Sequence, residues 1–206
     1  FVSRGSQRRP SIVLGVTVAQ SLQLVEPLAT ALAERGWDVT VVSDGTGARP
    51  HDSGPQVRYV ALPMKREPAP VHDLIGLISW LRLLSARRPD VVMVGTPKAS
   101  LLGLFAAWLV GVPTRIYHLR GLRLETIPAG PTRRLFEGLE RLAAASSTNL
   151  LAVSVSLAAK FHELGLGRGH NTDVVGLGSS KGVDLARFAD IGIDRVETVR
   201  RRVGVS

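Results

Sequence analysis

Short runs of apolar, β-branched residues recur along the chain, separated by segments whose apolar residues follow helical spacing. These runs are apolar at successive positions instead of alternate ones, which is typical of parallel strands covered on both faces. Strand and helix alternate about seven times, and parallel neighbours in a sheet need a crossover segment between them. The pattern therefore predicts an open, mainly parallel sheet with helices on both faces.

The predicted elements follow one another in a regular order. Strands are predicted at residues 11–16, 38–43, 57–62, 90–95, 114–117, 149–153 and 172–177. Helices are predicted at 22–35, 71–86, 99–110, 131–145, from a cap at Ser154 or Ser156 to Leu164, and at 194–203. The second of these has a wide apolar stripe that includes Leu74 and Ile75, and on the fourth the residues expected to face inward are Leu135, Leu139 and Leu142. We assign the fold class as α/β, with a Rossmann-like, doubly wound, mainly parallel seven-stranded sheet.

The first strand–helix turn tests for a nicotinamide or flavin domain. Such a domain has Gly-x-Gly-x-x-Gly there, so that the backbone can approach a pyrophosphate. Here Gly15 is followed by Val-Thr-Val-Ala-Gln, which keeps one glycine of the three. The later pair Gly176 and Gly178 comes after the last strand, and no P-loop with Gly-Lys-Ser or Gly-Lys-Thr is present. The sequence argues against an oxidoreductase.

The charge balance indicates an anionic partner. Lysine and arginine number 26 against 17 acidic residues, a formal net charge of +9. The basic residues are dispersed, and no recognition helix, basic–aromatic repeat or zinc-finger spacing accompanies them, so we expect no nucleic-acid partner. Cysteine is absent, which excludes a thiolate metal site and fits a cytoplasmic protein. We expect no metal.

Residues 115–125 hold the strongest candidate site. A predicted buried strand is followed by His118, then by Arg120 and Arg123, and then by Glu125. In an open α/β sheet, ligands bind outside the carboxyl ends of the strands. A histidine with two guanidinium groups at such a place is suited to hold an anion and a polar substrate. We expect Glu125 to pair with Arg123.

Four stretches carry a resemblance to a known family. They are residues 27–43 with Arg-Gly-x-x-Val-Thr-Val, residues 96–107 followed by Gly-Val-Pro-Thr-Arg-Ile-Tyr at 111–117, His-Leu-Arg-Gly-Leu-Arg at 118–123, and Gly-Ser-Ser-Lys-Gly-Val-Asp-Leu-Ala-Arg-Phe at 178–188. Together they resemble the N-terminal domain of bacterial retaining glycosyltransferases with the GT-B fold, in family 4. The likeness is greatest to the branch that builds capsule, O-antigen and lipid-linked oligosaccharides, and it covers nearly all of residues 11–206.

The resemblance implies a domain organisation. Residues 11–188 would form the N-terminal Rossmann-like domain, one half of a GT-B fold, and residues 189–206 would begin the linker to a C-terminal domain whose remainder is absent. Residues 1–10 are polar and basic, and we expect a disordered or engineered terminus there. Two positions depart from the family pattern: Gly15 stands alone in the first turn, and Lys181 lies where Asn is expected.

The resemblance also implies an activity. The whole enzyme would move a sugar from a nucleoside diphosphate sugar to a hydroxyl of a glycan or polyprenyl-linked acceptor, with retention and without a metal. Most donor contacts lie in the missing C-terminal domain, so this half would be inactive alone. His118 would be the catalytic residue near the reacting sugar. The substrate-binding residues would be Gly15, Thr17, Lys98, Arg120 and Arg123, of which the first two border the donor phosphates and the others hold an acceptor phosphate.

A lipid-linked acceptor would bring this cytoplasmic domain to the inner face of the membrane as a peripheral protein. Candidates for the contact are Lys65 with Arg66, Arg87 with Arg88, Trp80 and Trp108, although packing in a core or between domains is favoured for both tryptophans. The longest apolar run, 101–112, is too short to span a bilayer, which needs about 20 residues. The alternative function is a non-enzymatic basic α/β domain that binds an anionic ligand.

Overall fold

Strands and helices alternate along the whole described chain. A computed structural model describes residues 8–45, 57–167, 169–182, 197–198, 200–202 and 204. The strands are β1 Ser11–Gly15, β2 Asp38–Ser43, β3 Val57–Ala61, β4 Val91–Val94, β5 Thr114–Leu119, β6 Asn149–Ala152 and β7 Thr172–Val174. The helices are α1 Glu26–Glu34, α2 Pro70–Arg87, α3 Pro97–Val110, α4 Pro131–Ser146 and α5 Val155–Glu163, with 3-10 turns at Ala19–Leu24 and Arg123–Thr126.

The seven strands form one sheet in the order β3-β2-β1-β4-β5-β6-β7. Every pairing between neighbours is parallel. The predicted fold class is confirmed, and the sheet is wholly parallel instead of mainly so. The strand order reverses between β1 and β4, and the crevice outside such a reversal is where open α/β sheets bind ligands.

Two apolar layers cover the sheet, one on each face. The larger layer joins α2, α3, α4 and α5 to one face and includes fully buried side chains such as Trp80 and Phe161. The smaller layer joins α1 and the first 3-10 turn to β1, β2 and β4 on the opposite face. The strands are therefore apolar at successive positions because their alternate residues enter different layers.

The ends of the helices follow local sequence signals. Helices α2, α3 and α4 each begin with proline in the first turn, where a missing N–H costs nothing. Helix α3 ends at Gly111, whose φ of 77° is left-handed. Of the two predicted caps for α5, Ser154 is the one that acts, since its Oγ accepts a hydrogen bond from the Leu157 N–H at 3.2 Å.

Several predicted boundaries differ from the observed ones. Strand β5 continues to Leu119, so that His118 lies within the strand instead of after it. Strand β7 ends at Val174, three residues before the predicted end at 177. Of the predicted helix 194–203, residues 197–198 and 200–202 are helical and the others lie outside the described part. The Gly-Val-Asp joint is described only as far as Gly182.

The apolar residues of the outer helices do not all face the core. On α4, Leu135 and Leu142 were expected to point inward, but they are 61% and 40% exposed. On α2, Leu74 and Ile75 are also exposed, although they belong to the apolar stripe seen in the sequence. None of the helices among the described residues has the length and apolar character needed to cross a membrane.

Candidate functional site

A cleft of about 710 Å³ opens at the carboxyl edge of the sheet, outside the reversal between β1 and β4. Its walls come from segments that follow four different strands: Thr17 after β1, Arg66 after β3, Lys98 after β4 and Arg123 after β5. Three of these four residues are cations, and Glu67 is the acidic residue of the lining. The cleft therefore has more positive than negative side chains, and it lies where the topology of the sheet favours a ligand.

Thr17 ties the first loop to the start of α3. It is 5% exposed, and its N–H donates to Oγ1 of Thr96 at 2.8 Å. The two hydroxyl oxygens are 2.8 Å apart, and Thr17 Oγ1 also accepts the N–H of Ala99 at 3.1 Å. The Thr17 hydroxyl is thus engaged within the protein, where it fixes one wall of the cleft against another.

Gly15 lies below the cleft and does not line it. A Cβ atom at this position would lie 2.6 Å from Cγ1 of Val94 and 2.8 Å from Cη2 of Trp80. Trp80 is fully buried, and its ring occupies the space beneath the first turn. Core packing, the favoured expectation for Trp80, is therefore confirmed, and it accounts for both residues.

His118 and Arg120 form a second cluster at the end of β5. Nη2 of Arg120 lies 3.2 Å from Nδ1 of His118. A guanidinium group can only donate, so Nδ1 accepts and the ring proton resides on Nε2. Burial, and then the charge of Arg120, lowers the pKa of His118 to about 4. The imidazole is neutral at neutral pH and presents Nε2–H as a donor.

Arg120 is a partly buried cation that forms no ion pair among the described residues. Its Nε and Nη1 atoms are buried and have no hydrogen-bond partner in the described part of the chain. Burial lowers the pKa of Arg120 to about 10, which still leaves the group charged at neutral pH. A desolvated charge is costly unless an opposite charge compensates it. The cluster is therefore suited to bind an anion through Arg120.

Gly95, at the end of β4, makes room for this guanidinium. A Cβ atom on Gly95 would lie 2.6 Å from Nε of Arg120 and 3.1 Å from the carbonyl oxygen of His118. Any larger residue would displace the Arg120 side chain or the β5 backbone. Gly95 was not among the site residues predicted from the sequence, although a glycine at a strand often marks a close approach of another group.

Lys98 joins α3 to the connection before α2. Its Nζ atom lies 2.7 Å from Oδ1 of Asp73 and also donates to the carbonyl oxygen of Glu67. The side chains of Lys98 and Asp73 are 12% and 27% exposed, so the pair is largely shielded from solvent. Lys98 borders the cleft, as expected, with its charge already paired.

Arg123 is held by Glu67, not by Glu125 as predicted. Its Nη2 lies 3.3 Å from Oε2 of Glu67, and its guanidinium stacks 5.0 Å from the centre of the Phe136 ring. Glu125 lies exposed in the same 3-10 turn as Arg123. Local spacing could not reveal Glu67 as the partner, because it lies 56 positions away in the sequence.

The expected site residues thus fall into three places. Thr17, Lys98 and Arg123 line one cleft, His118 and Arg120 form the cluster beside Gly95, and Gly15 belongs to the core below. Within the described residues, no group of three or more His, Cys, Asp or Glu side chains is placed to hold a metal ion.

Comparison with protein families matches residues 23–178 to the family described as "Glycosyl transferase 4-like domain". This range contains β2 to β7 together with every cation of the cleft and of the Arg120 cluster. The resemblance read from the four sequence stretches is confirmed.

Two curated relatives and one solved structure resemble the chain. A "Capsular polysaccharide biosynthesis glycosyltransferase CapM" from Staphylococcus aureus is 36% identical over 174 residues, 84% of this chain and 45% of that protein. An Escherichia coli "UDP-Gal:alpha-D-GlcNAc-diphosphoundecaprenol alpha-1,3-galactosyltransferase" is 26% identical over 123 residues, 59% of this chain and 32% of that protein. Sucrose-phosphate synthase from Thermosynechococcus elongatus superposes with a TM-score of 0.67 at 13% identity, over 96% of this chain and 53% of that one. The chain thus spans less than half the length of both curated relatives.

Proposed function

Since the chain belongs to the glycosyl transferase 4-like domain family, we propose that it forms the acceptor-side half of a retaining glycosyltransferase of the GT-B fold. The whole enzyme transfers a sugar from a nucleoside diphosphate sugar to a hydroxyl group of a glycan or polyprenyl-linked acceptor. The names of the capsular and galactosyltransferase relatives support this substrate class. The donor-binding half follows the Gly-Val-Asp joint, and without it residues 1–206 are inactive.

The observation that carries the proposal is the unpaired guanidinium of Arg120. Its Nε and Nη1 groups are charged donors without a partner among the described residues, and each can donate to a separate oxygen atom of an anion. Such a group stabilises charge that develops on a departing or neighbouring diphosphate, and it does so without a metal ion. We therefore assign Arg120 to a phosphate group of the acceptor or of the leaving nucleotide.

His118 is assigned beside the reacting sugar. Its pKa of about 4 keeps the imidazole neutral, and the hydrogen bond from Arg120 fixes the proton on Nε2. A neutral imidazole in this tautomer donates a hydrogen bond to a sugar hydroxyl or to the acceptor. Because its Nδ1 is occupied by Arg120, His118 acts through Nε2 alone.

The cleft receives the polar head of the acceptor. Arg66 and Arg123 border it with exposed or partly exposed guanidinium groups, and Lys98 adds a charge that is shared with Asp73. A diphosphate group in the cleft would compete with Glu67 for Arg123, because that ion pair is exposed and weak.

We also infer peripheral attachment to the inner face of the membrane, which the exposed face of α2 supports. Its residues Val71, Leu74, Ile75 and Ile78 recur at helical spacing and are 70%, 58%, 47% and 38% exposed. Exposed Lys65 and Arg66 lie in the connection before this helix, and basic residues near an apolar stripe favour an anionic lipid surface. Arg87 and Arg88 lie at the other end of α2, and Trp108 is half exposed on α3.

To test the proposal, the coding sequence is determined beyond Ser206 and the full-length product is expressed. Release of a nucleoside diphosphate from nucleotide sugars is then measured for that product and for its His118→Ala and Arg120→Ala variants, in the presence and absence of chelator. We expect chelator-resistant turnover that both substitutions reduce by about a hundredfold or more. A stop codon after Ser206, or turnover that survives both substitutions, would contradict the proposal and favour a non-enzymatic anion-binding domain.

A further inference from the structure

A small apolar groove lies between α3 and α4, next to the cleft. Its volume is about 150 Å³. Most of its lining is aliphatic or aromatic, contributed by Pro97, Leu101 and Leu102 on α3 and by Leu135, Phe136 and Leu139 on α4. Leu135 is 61% exposed, so the groove begins at an apolar residue that faces solvent.

The groove and the cleft share a row of cations. Arg66, Lys98 and Arg123 line both spaces, and the Arg123 guanidinium stacks on the Phe136 ring that forms part of the groove wall. A ligand that fits both spaces must therefore have an anionic part in the cleft and an apolar part that begins directly beside it.

The two acidic residues that line the groove are already satisfied. Asp73 is paired with Lys98. Glu140 is buried and accepts a hydrogen bond from the Tyr117 hydroxyl, and burial raises the pKa of its carboxyl group. An apolar chain in the groove would therefore meet no unpaired carboxylate.

The size of the groove fits a single branched five-carbon unit. An apolar cavity of about 150 Å³ can bind benzene, which has six carbon atoms. A longer chain would continue past Leu135 to the solvent-exposed side of the helices. The exposed apolar stripe of α2 lies on this helical layer, which is the face assigned above to the membrane.

We propose that the groove binds the first isoprenoid unit of a polyprenyl diphosphate acceptor while Arg66 and Arg123 bind its diphosphate. This proposal rests on the proposed function, and it adds that the domain recognises the lipid as well as the phosphate. The cations at the groove mouth favour a diphosphate there, and the absence of an unpaired acid among the described residues of the groove lining favours an apolar chain inside it.

The test compares two probes, farnesyl diphosphate and inorganic diphosphate, by calorimetry on the 206-residue chain below the micelle-forming concentration of the lipid. We expect farnesyl diphosphate to bind at least about tenfold more tightly, because its first isoprenoid unit leaves water. Leu135→Gln should weaken the binding of farnesyl diphosphate about fivefold and leave the affinity for inorganic diphosphate unchanged. The matched control is Leu142→Gln, on the same helix and also exposed but outside the groove lining, which should alter neither affinity.

Two results would overturn the groove assignment while leaving the anion site in place. One is equal affinity for the two probes, and the other is an equal effect of Leu135→Gln and Leu142→Gln on farnesyl diphosphate. Failure of the wild-type chain to bind either probe would instead remove the phosphate site on which the proposed function depends, and the groove assignment with it.

Discussion

Arg120 donates a hydrogen bond from Nη2 to Nδ1 of His118 over 3.2 Å, so that a cation stabilises the neutral form of a neighbouring base. The usual arrangement around a catalytic histidine places a carboxylate on this nitrogen and favours the protonated ring. Here the partner has the opposite charge and the opposite effect. The pair combines a donor at His118 Nε2 with two free donors on Arg120, which suits a polar, anionic ligand.

The low pKa of His118 should appear in the pH dependence of stability. Between its folded pKa of about 4 and the ordinary value of 6.5, the unfolded chain binds the proton more readily than the folded chain, so stability falls as pH falls. We expect this group to account for a loss of about 1.5–2 kcal/mol between pH 7 and pH 5. Urea unfolding of wild type and His118→Asn at both values measures it, since the asparagine oxygen can still accept from Arg120.

The control for this measurement is His72→Asn, which changes an exposed histidine on α2. That variant should lose as much stability as the wild type on acidification. If His118→Asn does so too, His118 is not held in its neutral form by the fold.

Removing the charge of Arg120 should raise the pKa of His118. The guanidinium opposes a second positive charge on the ring, although burial remains the larger cause of the shift. We expect the pKa in Arg120→Met to lie above that of the wild type and still below 6.5, as followed by NMR titration of the imidazole. Arg123→Met, which removes a cation that does not contact His118, should leave the titration unchanged; an equal shift in both variants would argue against the pairing.

Gly95→Ala should weaken both anion binding at Arg120 and the fold. The new methyl group would lie 2.6 Å from Nε of Arg120, so the guanidinium must move away from β4. We expect the affinity of the Arg120 cluster for inorganic diphosphate to fall about tenfold, while binding in the cleft at Arg66 and Arg123 stays unchanged, with a destabilisation of about 1–2 kcal/mol from overpacking. Calorimetry and urea unfolding measure the two effects.

Gly121→Ala, directly after Arg120, is the matched control, because open space surrounds that position. It should retain both the affinity and the stability of the wild type. Wild-type affinity in Gly95→Ala would show that Arg120 does not bind the anion from its observed position.

Gly15→Ala should destabilise the fold and leave anion binding unchanged. A methyl group there would meet Val94 and Trp80 at 2.6 and 2.8 Å in a fully packed layer, which we expect to cost about 1–3 kcal/mol of stability. Diphosphate affinity of the folded fraction should stay at the wild-type value. Gly138→Ala, at an unobstructed position on α4, should stabilise the chain by up to about 1 kcal/mol. If the Gly15→Ala chain is stable but binds diphosphate more weakly than the wild type, Gly15 belongs to the ligand site after all.

The order and direction of the elements could be predicted because a wholly buried parallel strand has a distinctive composition. Runs such as 38–43 and 90–95 are apolar at successive positions, and this pattern requires cover on both faces. The strand order within the sheet was not predicted and comes from the structure. The candidate loop was found because His118, Arg120 and Arg123 lie at or after the carboxyl end of a predicted strand, where open α/β sheets bind ligands.

The contacts within the site could not be predicted, because they join segments distant in the sequence. Arg123 pairs with Glu67 and not with nearby Glu125, and Lys98 pairs with Asp73. Likewise, helical spacing shows which residues share a face but not which of two apolar faces meets the sheet. Leu135 was therefore expected in the core, whereas it lies exposed at the mouth of the groove.

Glu67 holds two cations through two chemically different groups. Its backbone carbonyl accepts from Lys98, whereas its side-chain carboxylate pairs with Arg123. Substitution at this position changes the second contact and keeps the first, because every residue has a backbone carbonyl. A single substitution of this exposed side chain can therefore change the charge available to a ligand at Arg123. The backbone contact that attaches the β3–α2 connection to α3 stays in place.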